Sequence, residues 1–281
     1  MREYDVKELI PIISKMVQDI SFAYPKDVYS KLMDAKNLEK NAIAKQTLEL
    51  LEKNEAIAKD TRIPVCQDTG MVIVYINVGQ DIHLVNGDLN SAINEGVAKG
   101  YNDGYLRKSV VSDPLFNRVN TKDNTPCIIY TNIVPGDKIE LTLNAKGFGS
   151  ENMSVIKMLP PSASLAGVKE VVLEAVKNAG PNACPPMVVG VGIGGSFDYC
   201  AVLAKKAISR SLDINNSDPL YAKLENELLL AINELDIGPQ GLHGNTTALK
   251  VNIEQFPTHI ASLPVGVNIS CHITRHARII L

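Results

Sequence analysis

The pattern that most limits how this chain can fold is a repeated change of hydrophobic period, from helical spacing to β-branched runs and back. Residues 6–20 carry apolar side chains at helical spacing, and residues 41–53 repeat the pattern with Ala, Leu and Glu. Residues 72–78, 127–134 and 139–143 then read as strands, and Pro135-Gly-Asp137 is the turn expected to close the last two into a hairpin. Residues 90–101 are predicted as a helix capped by Asn90, residues 165–178 as a helix stopped at Gly180-Pro181, and residues 219–235 as a third. Residues 261–273 are strand-like. No internal repeat or low-complexity linker interrupts this alternation, so the expected fold is α/β, with mixed sheets, flanking helices and a helical N-terminus. Residues 1–281 would form one compact body, divisible into lobes of about 1–160 and 161–281.

Composition narrows the class of partner. The 281 residues are 45% hydrophobic and 21% charged, ordinary values for a globular chain and far from a disordered one. With 28 basic against 31 acidic side chains, a net charge of −3 and no single-sign block, there is no electrostatic footprint for nucleic acid. The first ten residues mix charges, as an amphipathic helix does, and lack the basic-then-apolar order of a signal peptide. No apolar run approaches a membrane span. A cytoplasmic location is expected.

Five cysteines, an odd number scattered over a long chain, argue against a disulfide framework. They divide by surroundings. Cys127 opens the apolar run Cys-Ile-Ile-Tyr and Cys200 precedes Ala-Val-Leu-Ala, which is the setting of buried core residues. Cys66 precedes Gln-Asp-Thr-Gly, Cys184 precedes Pro-Pro, and Cys271 precedes His272 with Arg275 nearby. These three have loops that can deliver a thiolate and donors that can stabilise its charge. Their wide separation fits no local zinc or ferredoxin motif, so spacing leaves open three unpaired structural cysteines, or a zinc- or cluster-binding scaffold without activity.

Two glycine-rich stretches add candidates. Gly190-Val-Gly-Ile-Gly-Gly195 matches the dinucleotide fingerprint formally, as a turn between a short strand and a helix starting near Tyr199. A nicotinamide-dependent oxidoreductase is therefore a rival reading. Against it, the helix runs on into a polar loop around Asp213, where a second strand ending in an acid should lie. Lys146-Gly-Phe-Gly-Ser-Glu-Asn152 follows a strand directly, and its backbone amides are placed to approach a ligand; a tight turn alone is the alternative.

Three segments together, Pro64-Val-Cys-Gln-Asp-Thr-Gly70, Asn182-Ala-Cys-Pro-Pro-Met-Val-Val-Gly-Val-Gly-Ile193 and Ile237-Gly-Pro-Gln-Gly-Leu242, resemble the iron–sulfur class I fumarate hydratases and the related L-tartrate dehydratases. The likeness runs in order along nearly the whole chain and corresponds to the alpha subunit, or N-terminal domain. It implies that Cys66, Cys184 and Cys271 ligate a 4Fe–4S cluster whose fourth iron, lacking a protein ligand, acts as a Lewis acid. The implied activity is a hydro-lyase, first fumarate to L-malate, alternatively dehydration of L-tartrate. The KGFGSEN loop looks closer to the fumarase type. The resemblance further implies that Gln67 and Asp68 touch substrate, with Asp68 in the catalytic set, and that Arg107 binds a carboxylate through its forked guanidinium. Gly147 and Gly149 would offer amides, and His259 matches a family histidine at the site. Arg275 and Arg278 stand near where the family carries a basic pair, but spaced more loosely. Since the chain ends soon after Cys271, a separate beta subunit is expected to complete the site, with a second alpha subunit in an α2β2 assembly and a dicarboxylate as substrate.

Overall fold

The computed structural model describes all residues 1–281. They divide into two units, each assembled from separate stretches of chain, so neither is a contiguous half. The first comprises Met1–Pro25, Glu55–Gly147 and Arg275–Leu281; the second comprises Lys26–Asn54 and Phe148–Thr274.

In the first unit, strand β1 (Arg2–Asp5) pairs in parallel with β3 (Ile82–Val85). The first residues are therefore a strand, where mixed charge had suggested a helix. Helix α1 (Leu9–Phe22) and helix α4 (Leu89–Asp103) pack against a four-stranded sheet in the order β10 (His276–Ile280), β5 (Ile139–Lys146), β2 (Met71–Gly79), β4 (Ile128–Val134). The helices present Leu9, Ile13, Val17 and Ile20, and Ile93, Val97 and Tyr101, at spacings of three and four that place each set on one stripe. The stripes meet Val72, Val74, Ile76 and Leu141 of the sheet. Asp88, not Asn90, caps α4, its carboxylate accepting from the Ser91 amide at 2.7 Å.

The hairpin expected from residues 127–143 does not form. β2 lies between β4 and β5, parallel to the first and antiparallel to the second. Its residues are almost wholly buried, and a strand apolar on both faces is stabilised most at the centre of a sheet. The turn around Gly136 instead arches over the end of β2, where the Asp81 amide donates to Gly136 O at 3.0 Å and the Gly79 amide to Lys138 O at 2.9 Å.

The second unit holds α2 (Lys26–Leu38), most of α3 (Ala42–Thr61), a single-turn α5 (Phe148–Glu151), and a sheet ordered β6 (Val155–Leu159), β9 (Leu263–Ser270), β7 (Met187–Gly195), β8 (Ala248–Thr258). β7 runs parallel to β8 and antiparallel to β9. Alternation sorts its two faces. Val189, Val191 and Ile193 point into a core with α6 (Ser164–Ala179) and α8 (Pro219–Asn233), through Val172, Val176, Leu228 and Ile232. Gly190 and Gly192 turn the other way, toward α7 (Phe197–Ala207).

That packing corrects the reading of the glycine-rich stretch. Its glycines lie within β7 and form no phosphate-cradling turn. A Cβ on Gly192 would stand 2.0 Å from Cys200 O, so the missing side chain is what lets the backbone of α7 rest on the strand. No helix is long and apolar enough to cross a membrane.

Candidate functional site

The loop from Ile63 to Gly70 links α3 to β2 in the first unit. Val65 anchors it, buried and donating its amide to Ser21 O at 2.9 Å, while Cys66 beside it is half-buried and Gln67 exposed. Asp68 Oδ1 accepts from the Gly70 amide at 3.0 Å, which closes the turn and directs the carboxyl. Thr69 donates its hydroxyl to Arg107 O at 2.6 Å, and Tyr101 Oη lies 2.8 Å from Thr69 O and 3.0 Å from Gly70 O. Buried Asn124 completes the stitching: its amide nitrogen donates to Gly70 O at 3.0 Å and its oxygen accepts from the Ser109 amide at 2.7 Å. Asp68 and the exposed Arg107 are thus carried on loops tied to one another through backbone atoms. Neither Tyr101 nor Asn124 stood out in the sequence, because each acts through a partner distant along the chain.

Gly147 brings two further groups together. A Cβ there would lie 3.1 Å from Asp68 Oδ2 and 3.5 Å from Arg275 Nη2, so carboxylate and guanidinium flank the same bare Cα. Arg275 is only 2% exposed. Its Nε donates to Ala145 O at 3.1 Å, its carbonyl accepts from the Ala145 amide at 3.1 Å, and its Nη1 has no hydrogen-bond partner. A buried guanidinium N–H left unmatched is costly, which sets this residue apart from a surface charge. Arg278, by contrast, is a strand residue paired with Glu140 at 2.7 Å.

Burial pushes the Tyr101 phenol up to about 12, with Arg275 opposing. A raised folded pKa gives stability that is whole below pH 10 and lost as pH climbs toward 12, here up to about 3 kcal/mol by linkage. Urea midpoints of the native chain are therefore expected to fall over that range relative to Tyr101→Phe, which has no such proton. Parallel midpoints for the two proteins would contradict the burial argument.

In the second unit, Cys184 and Cys271 are neighbours. Val188 pairs with Ser270 across β7 and β9, and each cysteine lies just beyond that paired end. Cys184 O accepts from the His272 amide at 3.3 Å and lies 2.9 Å from His272 Nδ1. Burial pushes the His272 imidazole down to about 4. Pro185 O accepts from both the amide and the side-chain nitrogen of Gln240, at 2.8 and 2.7 Å.

None of the five cysteines is in a disulfide, and they are of two kinds. Burial pushes the Cys127 thiol up to about 12 and raises that of Cys200, so both stay protonated. Cys184 is exposed and Cys66 and Cys271 are half-buried, which matches the division made from their neighbours in sequence. The candidate ligands are split between the units, Cys66 in the first and the other two in the second. No group of three His, Cys, Asp or Glu side chains is identified as able to hold a metal ion.

His259 and Gly149 are the remaining candidates. His259 is exposed in an open groove of about 420 Å³ with Gly195, Tyr199 and Phe256, its Nδ1 accepting from the Ala261 amide at 3.2 Å. Thr258 bonds Gly195 O at 2.9 Å, at the far end of β7 from Cys184. Strand rise makes that separation roughly 26 Å within one chain. His259 is thus not brought to the cysteine pair, because β8 and β9 turn back at the opposite edge. An apolar cavity of about 520 Å³, lined by Leu165, Ile193, Leu224 and Leu263, lies toward the same far end. Gly149 is exposed, with open space where a Cβ would stand. Glu151 in the same loop pairs with Lys205 and accepts from Asn268 at 2.8 Å.

Comparison with known proteins gives a consistent result. A family model described as Fumarate hydratase (Fumerase) matches residues 10–280. A provisionally named L(+)-tartrate dehydratase subunit alpha of Methanocaldococcus jannaschii is 41% identical over 271 residues, covering 95% of each chain. The L(+)-tartrate dehydratase subunit alpha of Escherichia coli O157:H7 is 33% identical, covering 100% of this chain and 93% of its own. That of Escherichia coli strain UTI89 is 34% identical, covering 96% and 89%.

Proposed function

Because this chain belongs to the fumarate hydratase family of hydro-lyases, we propose that it is the alpha subunit of an L(+)-tartrate dehydratase, working with a separate beta subunit. The observation that carries the reading is end-to-end similarity to alpha subunits bearing that name. The fumarate preference drawn from the KGFGSEN loop is set aside because these relatives are named for L(+)-tartrate. The second alpha subunit of an α2β2 assembly belongs to the same proposal.

The residues fit an iron–sulfur group by donor chemistry: three thiols on loops are exposed or half-buried, while the other two are buried and held protonated. Cys66, Cys184 and Cys271 would hold it. When bound, such a cluster supplies a Lewis-acidic iron that makes hydroxide a tolerable leaving group. The chain's own residues supply the rest of the half-site. Arg107 offers a forked guanidinium to a substrate carboxylate, Gln67 an exposed amide, and Asp68 a carboxyl oriented by its own turn beside Arg275. Overall, one C–H proton and the hydroxyl of the adjacent carbon leave tartrate as water, and the enol that remains becomes oxaloacetate. The base that takes the proton is assigned to the beta subunit.

Anaerobic co-expression with the beta subunit, followed by paired assays, tests the proposal. kcat/KM for L(+)-tartrate should exceed that for L-malate or fumarate by at least about tenfold, since one recognised hydroxyl can decide that much. Equal or better turnover of fumarate returns the assignment to fumarate hydratase. Turnover of neither removes the hydro-lyase reading.

A further inference from the structure

Cys184 sits in a backbone conformation that its residue type does not favour. Its φ of 50° and ψ of 64° are left-handed, a region that costs a residue with a Cβ free energy and persists only where the surroundings impose it. The surroundings here are specific. His272 contributes its backbone amide and its ring to Cys184 O, at 3.3 and 2.9 Å, and Gln240 contributes its backbone amide and its side chain to Pro185 O, at 2.8 and 2.7 Å.

We propose that His272 and Gln240 form a latch that holds Cys184 in this posture, making them positioning residues for a metal-ligating thiol. The proposal rests on the reading of Cys184 as a cluster ligand. The proton assignment follows from geometry: Cys184 O can only accept, so Nδ1 of His272 carries the hydrogen. Gln240 Nε2, 3.2 Å from that nitrogen, then gives its proton to Pro185 O and lies against the ring. Gln240 is itself left-handed, with φ of 55°, so the 237–243 loop and the Cys184 loop are two strained segments that hold one another through side-chain as well as backbone bonds. Such mutual restraint stops the cysteine from relaxing to an ordinary extended conformation and withdrawing its sulfur.

The test reads the thiol first and the cluster second. In the full-length, iron-free chain, alkylation by iodoacetamide is followed at Cys184 and Cys271 by mass spectrometry, and the ratio of the two rates is compared among variants. His272→Leu and Gln240→Ala should each shift the ratio by at least about fivefold, the factor one lost hydrogen bond corresponds to. His272→Asn, whose amide nitrogen stands where Nδ1 stood, should restore the ratio to within about twofold of native. In the anaerobic complex, the two disruptive variants should lose iron to a chelator faster by a similar factor. An unchanged ratio in both disruptive variants, or no difference between His272→Leu and His272→Asn, overturns the latch. A native complex that binds no iron while the ratio responds as described overturns the cluster assignment instead, so the two failures are distinguishable.

Discussion

Gly192→Ala is expected to destabilise the chain by at least about 3 kcal/mol and to leave most of it insoluble on expression. The new Cβ would stand 2.0 Å from Cys200 O and 2.6 Å from Ala204 N, both backbone atoms of α7, so no side-chain rotation relieves the clash. Either α7 lifts from β7, losing the packing of Leu203 and Ile208, or the strand leaves its place between β8 and β9. Gly149→Ala is the control: open space surrounds that position, and the change in urea midpoint should correspond to less than about 0.5 kcal/mol. Equal midpoints for the two variants would mean that α7 does not bear on the strand as described.

The second large effect belongs to the thiols. Cys66→Ser should reduce bound iron and turnover of the anaerobic complex by at least a hundredfold, since removing a ligand exceeds the roughly 10- to 100-fold cost of disturbing a ligand's support. Cys127→Ser should keep both within about twofold and show instead a stability loss of about 1 to 2 kcal/mol, because a hydroxyl replaces a buried, protonated thiol. Iron content by colorimetry and midpoints by denaturation separate the outcomes. If the two variants lose iron alike, the division of the cysteines into ligands and core residues is wrong.

Much of the local structure was legible before any coordinates. Helical spacing placed α1, α4, α6 and α8 within a few residues, and β-branched runs located β2, β4, β5 and β9. Flanking residues were enough to separate Cys66, Cys184 and Cys271 from Cys127 and Cys200, because a thiol's burial follows the polarity of its immediate neighbours. What periodicity missed were short elements, such as β1, β3 and β6, together with α2, whose apolar face is narrow, and the long strand β8.

The residues by themselves determined most of the helices and strands, which thiols lie near the surface, and which family the motifs resemble, since each depends on neighbours a few positions away. Only the tertiary structure decided that β2 separates the two strands a turn had seemed to join, that the glycines of β7 make room for a helix, and that His259 lies at the far end of β7 from Cys184. It alone also buried Arg275 beside Asp68. These are choices of strand neighbour, facing surface and loop contact between residues distant along the chain, and free energy of that kind has no counterpart in a local window of sequence.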